Sequence, residues 1–368
     1  MYSERMAPPR ERNQPLKGHG ALSNPTGRFE RHRREAVDDG WYQAEVPDFI
    51  PTSLEPDRAR SVIARNDSPD IPFEQSINPY RGCSNGCVYC YARPSHGYVG
   101  LSAGLDFETR LFYKKDAGKV LEEELAKPGY ACKPITLGAN TDPYQPVERR
   151  MRVTRDILEV LARCRHPVTI ITKSALVLRD LDLLADLAKD GLAGVGVSIT
   201  TLDVELKRVM EPQAASPHAR LEALRRLNEA GVPSGVMVAP VIPALTDHEL
   251  EGILEAAAAA GARWAGYVLL RLPYEVKDLF REWLTAHYPD RADHVMSLVR
   301  QMRGGKDYDS SFGQRMRGTG ALAELLRSRF QIACRRLSLG TGRHQPPNTA
   351  LFRPPRPRAS GPQLALDL

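Results

Sequence analysis

Residues 78–98 read NPYRGCSNGCVYCYARPSHGY, and this stretch places Cys83, Cys87 and Cys90 in CxxxCxxC spacing. Thiolates are soft ligands that suit iron–sulfur clusters and zinc. Three cysteines on one short loop can hold three irons of a four-iron cubane and leave the fourth iron open to another molecule. The spacing therefore predicts a 4Fe-4S cluster whose protein ligands are these three cysteines.

A structural zinc site is the alternative interpretation of this loop. Such a site normally has four protein ligands, and His96, six residues beyond Cys90, could complete a Cys₃His set. No second pair of cysteines follows in the sequence, and Cys132 begins a predicted strand. The loop also opens a series of strands and helices, which is the context that a cluster in a barrel requires. These features favour the cluster over zinc.

A regular alternation of β-rich runs and helical stretches follows the cysteine loop. The predicted strands are 133–139, 167–172, 193–199, 234–239 and 267–270, and the predicted helices are 149–163, 176–189, 218–230, 247–260 and 274–287. A further strand just before Cys83 gives about six βα units. This alternation predicts an α/β fold with a parallel sheet, either open or curved into a full or partial barrel.

Small and polar residues gather where four of the predicted strands end. They are Asn140-Thr141-Asp142, Lys173-Ser174, Ser198-Ile199-Thr200-Thr201 and Pro240. Because the carboxyl ends of the strands face the active site in parallel α/β folds, we expect the chemistry to take place there.

The cysteine motif, with the aromatic residue Tyr89 before its third cysteine, resembles that of the radical S-adenosylmethionine (SAM) superfamily. The sequence pattern GCxxxCxYCYAR resembles that of the subgroup related to spore photoproduct lyase, and more closely that of an uncharacterised bacterial branch of this subgroup. The resemblance covers roughly residues 77–271 and implies a partial (β/α)6 barrel of the radical SAM type. Neither terminal extension is explained by it.

The resemblance also implies the chemistry. The open iron of the cluster would chelate the amino and carboxylate groups of SAM, and an electron from the cluster would then break a sulfonium C–S bond. The products would be methionine and a 5′-deoxyadenosyl radical, which would abstract a hydrogen atom from an unknown substrate. An electron donor of the flavodoxin or ferredoxin type is implied as a partner, whereas the oligomeric state is not predicted.

Two charged residues at strand ends are implied as SAM ligands. Asp142, after the second strand, would hold the methionyl amino group, and its alternative role is to form the turn before Pro143. Lys173, after the third strand, would contact the methionyl carboxylate. Its ammonium needs a carboxylate partner if it points into the barrel mouth, and its alternative role is to cap the strand at the surface.

Further pocket residues are implied by the same resemblance. Ser198 and Thr200 alternate to one face of their strand and would contact the ribose, although their hydroxyls could instead satisfy local backbone. Ile242 would flank the adenine or belong to ordinary core, and Arg271 would line the mouth. Tyr91 would lie near the path of the radical, with packing under the cluster as its alternative.

One departure from spore photoproduct lyase concerns the reaction. That enzyme carries a hydrogen-donating cysteine at the end of its second strand, where this sequence has Gly138-Ala139-Asn140. Cys132 lies some six residues earlier, which is roughly 20 Å away in an extended strand. Thymine-dimer repair is therefore not predicted. The substrate could be nucleic acid, a protein or a small molecule, and a non-enzymatic zinc or nucleic-acid-binding protein is the remaining class.

The sequence predicts four segments. Residues 1–48 are polar and lack periodicity, which indicates a disordered N-terminal extension. Residues 49–290 form the radical SAM partial barrel with a lead-in segment, and residues 291–339 form a helical C-terminal segment. Residues 340–368 are rich in proline and arginine and are predicted to be a disordered basic tail.

Charge is distributed unevenly along the chain. The net charge is +6, but Ser311–Leu368 alone carries ten arginines against two acidic residues, a net charge of +8. An arginine-rich end can attract phosphate backbones, so nucleic acid is a candidate partner through this basic C-terminal segment. A solvated tail is the alternative.

The location of the protein is predicted from what the sequence lacks. No run of 18 apolar residues is present, so no membrane span or membrane partner is predicted. The polar N-terminus has no apolar core of a secretory signal. The remaining cysteines, Cys132, Cys164 and Cys334, are scattered as expected in a reducing compartment. The sequence therefore predicts a cytoplasmic protein.

Overall fold

The structure, a computed structural model, describes residues 15–30, 50–341 and 348–355. Its strands are β1 (Ser53–Asp57), β2 (Ile63–Arg65), β3 (Gln75–Ile77), β4 (Tyr80–Arg81), β5 (Arg110–Lys114), β6 (Ile135–Leu137), β7 (Val168–Thr172), β8 (Ala193–Ser198), β9 (Ser234–Val241) and β10 (Ala265–Leu269).

The α-helices lie between and after these strands. They are α1 (Leu105–Thr109), α2 (Ala117–Leu125), α3 (Glu148–Met151), α4 (Val153–Arg163), α5 (Leu181–Lys189), α6 (Val204–Met210), α7 (Pro217–Glu229), α8 (Leu250–Ala259), α9 (Val276–His287), α10 (Pro289–Gln301) and α11 (Ala321–Arg336). Short 3-10 helices span Arg93–Val99, Ala175–Asp180 and Asp247–Glu249.

The main sheet has seven strands in the order β10-β9-β8-β7-β6-β3-β2. All its neighbours pair in parallel except β2, which is antiparallel to β3 at one edge. The parallel strands follow one another in chain order without reversal, and right-handed crossovers then place the connecting helices on one face. The sheet is open within the described residues. This confirms the predicted α/β fold with a partial (β/α)6 barrel.

The two faces of the sheet differ in residue size. Val195, Val197 and Val236 point toward the helices and belong to the main hydrophobic core. The opposite, inner face carries small residues such as Gly196 and Gly235, and a Cβ atom on Gly235 would overlap the ring of Trp264. The small residues of the inner face therefore make room for the ring of Trp264.

A second sheet, which the sequence pattern did not predict, holds the cysteine loop. Its order is β1-β5-β4, with β5 parallel to β1 and antiparallel to β4. Strand β4 ends two residues before Cys83, and the backbone N–H of Cys83 donates to the carbonyl of Phe107 at 2.9 Å. The start of the loop is thus fixed by strand pairing on one side and by α1 on the other.

Residues 15–30 differ from the predicted disordered extension, because they pack against the cysteine loop. The backbone N–H groups of Gly20 and Ala21 donate to the carboxylate of Glu108 at 3.1 and 2.8 Å. A Cβ atom on Gly20 would overlap the carbonyl oxygen of Gly86. Residues 15–30 contact the rest of the protein mainly through their backbone. Contacts of this kind require no regular spacing of apolar residues, so the sequence pattern does not reveal them.

The chain beyond α11 also contacts the barrel where it is described. Gly340 exchanges backbone hydrogen bonds with Arg263 and Ala265 at the β10 edge. Phe352 packs against Tyr130 and His166, with ring centroids 5.6 and 5.2 Å apart. The rest of the predicted tail, residues 342–347 and 356–368, lies outside the described residues, as do residues 1–14 and 31–49. The predicted domain boundaries stay predictions.

Among residues 15–30, 50–341 and 348–355, no helix has the length and apolar character needed to cross a membrane.

Replacing Gly20 with alanine should destabilise the protein, because the new Cβ atom has no room beside Gly86. Overpacking of this kind costs about 1–3 kcal/mol. The free energy of unfolding, measured by denaturant titration, tests this together with the rate of proteolysis of the N-terminal segment. Gly252→Ala is the matched control, since the nearest atom to its new Cβ is 3.9 Å away. Equal stability of both variants would contradict the close packing of residues 15–30.

Candidate functional site

The cysteine loop is held from beneath by a buried arginine. Arg93 donates to the carbonyl oxygens of Cys87 and Gly86 at 2.9 and 3.2 Å, and its guanidinium also pairs with Glu108. Both side chains of this ion pair are buried. Arg93 therefore fixes the backbone of the loop at its second cysteine. Sequence reasoning missed this role, although the residue follows the cysteine motif directly.

The three thiols of the cysteine loop lie in one largely buried group, and their role as cluster ligands stays a prediction. Burial raises the pKa of Cys87 to about 12 and, together with nearby negative charges, raises the pKa of Cys83 well above its ordinary value. Backbone N–H groups point at two of the sulfurs, that of Asp142 at Cys83 and those of Ala92 and Arg93 at Cys90. Ionised thiols are stable here only when a cation balances them, so the donor set fits iron.

A structural zinc site at this loop would need His96 as its fourth protein ligand. His96, the proposed fourth zinc ligand, instead places its Nε2 2.9 Å from the carbonyl of Arg110 and packs edge-on against Phe107. It supports the loop from within the core.

Three of the predicted pocket residues meet in one place at the ends of β7 and β8. The Lys173 ammonium donates to the hydroxyls of Ser198 and Thr200 at 2.8 and 3.2 Å and to the carbonyl of Ala239 at 2.9 Å. The ammonium also lies 5.6 Å from the centre of the Tyr89 ring. The residues that were selected because they follow strand ends are therefore adjacent in space and lie beside the cysteine loop.

A buried carboxylate that the sequence analysis missed completes this network. Glu211 lies 3.2 Å from the Lys173 ammonium and accepts hydrogen bonds from Thr200, at 2.8 Å, and from Tyr89. Arg220, also buried, pairs with its other oxygen. Burial alone would raise the pKa of Glu211, but the charges of Arg220 and Lys173 outweigh it and hold that pKa well below its usual range.

The positions of Glu211 and Arg220 follow from how two helices begin and end. The side chain of Asp203 caps the N-terminus of α6, and the side chain of Ser216 caps that of α7 in the same way. Glu211 lies in the short turn between them, and the carbonyl of Lys173 accepts a hydrogen bond from this turn at 3.3 Å. In the sequence, both charged residues look like ordinary charges on the surface of a helix. The helical periodicity therefore gave no sign that they are buried.

Asp142 connects the cysteine loop with the ends of β6 and β7. Its carboxylate accepts hydrogen bonds from the side chains of Asn85 and Thr172 and from the backbone N–H groups of Tyr144 and Lys173, at 2.7–3.0 Å. The bond to Tyr144 is the turn role that was the alternative interpretation. A contact with the SAM amino group stays a prediction and would replace one of these bonds.

The other predicted residues lie around the same site. Ile242 is fully buried and packs in the cluster of apolar residues that includes Cys87 and Tyr89. Tyr91 is 43% exposed and donates to the carbonyl of Ala139 at the end of β6. The guanidinium of Arg271 lies 4.9 Å from the Tyr91 ring, so Tyr91 spans the mouth from β6 to β10.

Cys132 lies at the other end of the sheet. It precedes β6 and follows Tyr130 by two residues, and the hydroxyl of Tyr130 bonds Gln75 and His166 near the starts of β3 and β7. Burial raises the pKa of Cys132 to about 11. This location agrees with the expectation that Cys132 is too far away to give hydrogen to a substrate at the cysteine loop.

Comparisons with known proteins agree on one family. The model of the radical SAM superfamily matches residues 77–257. An uncharacterised protein of Mycobacterium tuberculosis is 38% identical over 233 residues, which are 63% of this chain and 68% of that protein. An uncharacterised protein of Methanocaldococcus jannaschii is 34% identical over 178 residues, which are 47% of this chain and 62% of that protein.

Solved structures share the fold at low sequence identity. A mutant of spore photoproduct lyase with bound AdoMet and dinucleoside spore photoproduct has a TM-score of 0.56 and 16% identity, covering 78% of this chain and 80% of that one. Another mutant of the same enzyme has a TM-score of 0.57. The family uses a 4Fe-4S cluster and SAM, which confirms both predicted cofactors. By its matched sequence, its fold and its cysteine loop, this chain belongs to the radical SAM superfamily.

Proposed function

We propose that this chain cleaves SAM reductively at a cluster held by Cys83, Cys87 and Cys90 and applies the resulting radical to a nucleic-acid substrate. The observation that carries the proposal is the position of three largely buried thiols beside the Lys173 network at the strand ends. When bound, the cluster and SAM supply a one-electron cleavage that yields methionine and a 5′-deoxyadenosyl radical. The reducing electron comes from a donor protein of the flavodoxin or ferredoxin type.

The charge of the Lys173 network suits the carboxylate of SAM. Lys173 and Arg220 contribute two positive charges and Glu211 one negative charge, so a single positive charge is left in a buried place. Burial makes such an uncompensated charge costly. A carboxylate ligand at Lys173 would balance it, while Glu211 keeps the ammonium in position. In this proposal Ser198 and Thr200 contact the ribose, and Ile242 flanks the adenine.

Two observations support nucleic acid as the substrate class. A similar fold, that of spore photoproduct lyase, binds a dinucleoside spore photoproduct. The chain also carries an arginine-rich C-terminal segment. However, Arg315 and Arg329 of that segment pair with Asp70 and Glu251 at 2.6 and 2.7 Å. The charges of these arginines are therefore partly neutralised by carboxylates of the barrel. The barrel mouth is then a better candidate than the C-terminal segment for the surface that binds nucleic acid.

Cys87→Ala should abolish cluster loading, because a site with three thiolate ligands cannot lose one. Iron and acid-labile sulfide are measured after anaerobic reconstitution, together with the visible absorbance of the cluster. Cys334→Ala and Cys132→Ala are the controls, and both should keep full iron content. Full iron and sulfide in the Cys87 variant would contradict the assignment of the ligands.

Lys173→Ala should weaken SAM binding while the cluster still assembles. A charge-assisted contact is worth about 1.5–3 kcal/mol, so the Kd should rise roughly ten- to a hundredfold. Anaerobic calorimetry measures this. Lys207→Ala is the matched control, because Lys207 is also buried but bonds the carbonyl of Pro212 at 3.1 Å. If both variants keep the Kd of the unmodified chain, Lys173 lies outside the SAM pocket.

The substrate class is tested with SAM deuterated at its 5′ carbon. The reduced, cluster-loaded chain is incubated with single-stranded nucleic acid, with protein extract and with small metabolites in separate reactions. We expect nucleic acid to accelerate formation of 5′-deoxyadenosine and to exchange hydrogen with its 5′ carbon, as mass spectrometry would show. Stimulation by the protein or metabolite fraction alone would replace nucleic acid with that class while leaving the radical chemistry in place.

A further inference from the structure

An unpaired arginine lies at the mouth, next to the tyrosine that follows the third cysteine. The Arg271 guanidinium stacks 4.9 Å from the Tyr91 ring, and its Nε is buried without a hydrogen-bond partner. No carboxylate of the described residues lies within ion-pair distance of Arg271, whose NH1 has only the sulfur of Met316 at 3.5 Å. Arg271 is therefore a cation at the mouth that lacks an anion.

A second positive charge lies nearby and strengthens this imbalance. Arg303 is buried and donates to the carbonyl oxygens of Leu270 and Gln314 at 2.8 and 2.9 Å. Burial first, and then the positive charge of Arg271, lowers the pKa of Arg303 to about 10. Two guanidinium groups that disfavour each other would both be stabilised by a negatively charged ligand.

Aromatic rings continue outward from Arg271 along the same loop. Tyr274, three residues further on, stacks with the Arg28 guanidinium at 3.9 Å, and the same guanidinium lies 4.9 Å from the Phe29 ring. Phe29 in turn lies 5.3 Å from the Tyr98 ring, centroid to centroid. The Arg28 guanidinium thus lies against three rings, and Tyr274 follows Arg271 by three residues in the chain. We call these five residues the aromatic–arginine row: Arg271, Tyr274, Arg28, Phe29 and Tyr98.

The rings of the row are exposed to an unusual extent. Tyr274 is 63% exposed, Phe29 55% and Tyr98 71%. Tyr274 also has a φ of +51°, a left-handed conformation that disfavours side chains other than glycine and a few polar residues. A strained backbone that presents a large aromatic ring to solvent is more typical of a binding surface than of a core.

From this arrangement we infer that the aromatic–arginine row binds single-stranded nucleic acid and leads it to the cysteine loop. Bases would stack on the exposed rings, and phosphates would pair with Arg271, whereas Arg28 already lies 4.0 Å from the carboxylate of Glu275 and holds the rings in place. A duplex keeps its base faces stacked inside, and a free nucleotide would use only one ring of the row. An apolar protein partner would leave the unpaired guanidinium without an anion. The inference rests on the proposed function and specifies where its substrate would bind.

The rings are tested with the cluster-loaded full chain, bound to SAM under anaerobic conditions. The probe is a fluorescent oligothymidine of about 15 nucleotides, and anisotropy gives its Kd. Tyr274→Ala should raise the Kd about tenfold, whereas Tyr274→Phe should stay within about twofold of the unmodified chain because it keeps the ring. Ile332→Ala, which removes an exposed apolar side chain from α11, is the control and should change nothing. Thermal unfolding verifies that each variant is folded.

The charge of the row is tested by the salt dependence of the same Kd. Arg271→Gln should lower the slope of log affinity against log salt by about 0.7, which is the contribution of one phosphate contact to a single strand. Arg163→Gln, which changes an exposed arginine at the end of α4, should leave the slope unchanged.

Several results would overturn the inference. They are equal effects of the control variants and the row variants, tighter binding of duplex than of single strand, and no binding of the oligonucleotide by the unmodified chain. SAM cleavage without substrate is assayed on the same unmodified preparation. If SAM is cleaved but no oligonucleotide binds, the inference that the row binds nucleic acid is wrong, whereas the proposed radical chemistry is unaffected. If the oligonucleotide binds but SAM is not cleaved, the proposed function fails instead.

Discussion

The arrangement of the site depends on the ion pairs and hydrogen bonds of one buried carboxylate, that of Glu211. It joins the α6–α7 turn to Lys173 at the end of β7, to Thr200 after β8 and to Tyr89 in the cysteine loop. Arg220 makes its burial tolerable, since an isolated buried carboxylate would be strongly disfavoured. Removing Glu211 would leave two buried cations facing each other, and breaking a buried pair in this way costs about 3–5 kcal/mol.

A similar buried ion pair holds the opposite side of the cysteine loop. Arg93 and Glu108 fix the backbone carbonyls of the loop, and Glu108 also binds the backbone of residues 15–30. The loop is thereby held between two charged centres that are both shielded from water. Such rigidity has a physical purpose in a cluster site, because three thiolates must face the iron at fixed spacing before any cosubstrate binds. The N-terminal segment is part of this support, although it lies outside the residues matched by the family.

The sequence was sufficient to predict what depends on local pattern. The strands near residues 135, 168, 193, 234 and 265 follow β-rich runs, and Lys173, Ser198 and Thr200 were found because parallel strands bring their carboxyl ends together. The pattern could not reveal Glu211 or Arg220, whose burial results from how the turn between two helices folds back on the sheet. Residues 15–30 were missed for a different reason, since a segment that binds through backbone hydrogen bonds shows no hydrophobic period.

The net charge of this protein does not predict which ligands its sites bind, because binding depends on where the charges lie and not on their sum. The first 310 residues carry a net charge of −2, yet both the SAM pocket and the mouth that we propose have an excess positive charge. In the pocket the excess is one charge and buried, which suits a single carboxylate. At the mouth it is shared by Arg271 and Arg303 beside exposed rings, which suits a chain of phosphates and bases. Two sites with the same sign of charge thus differ in what surrounds the charge, which is hydroxyl and carbonyl groups in the pocket and exposed aromatic rings at the mouth.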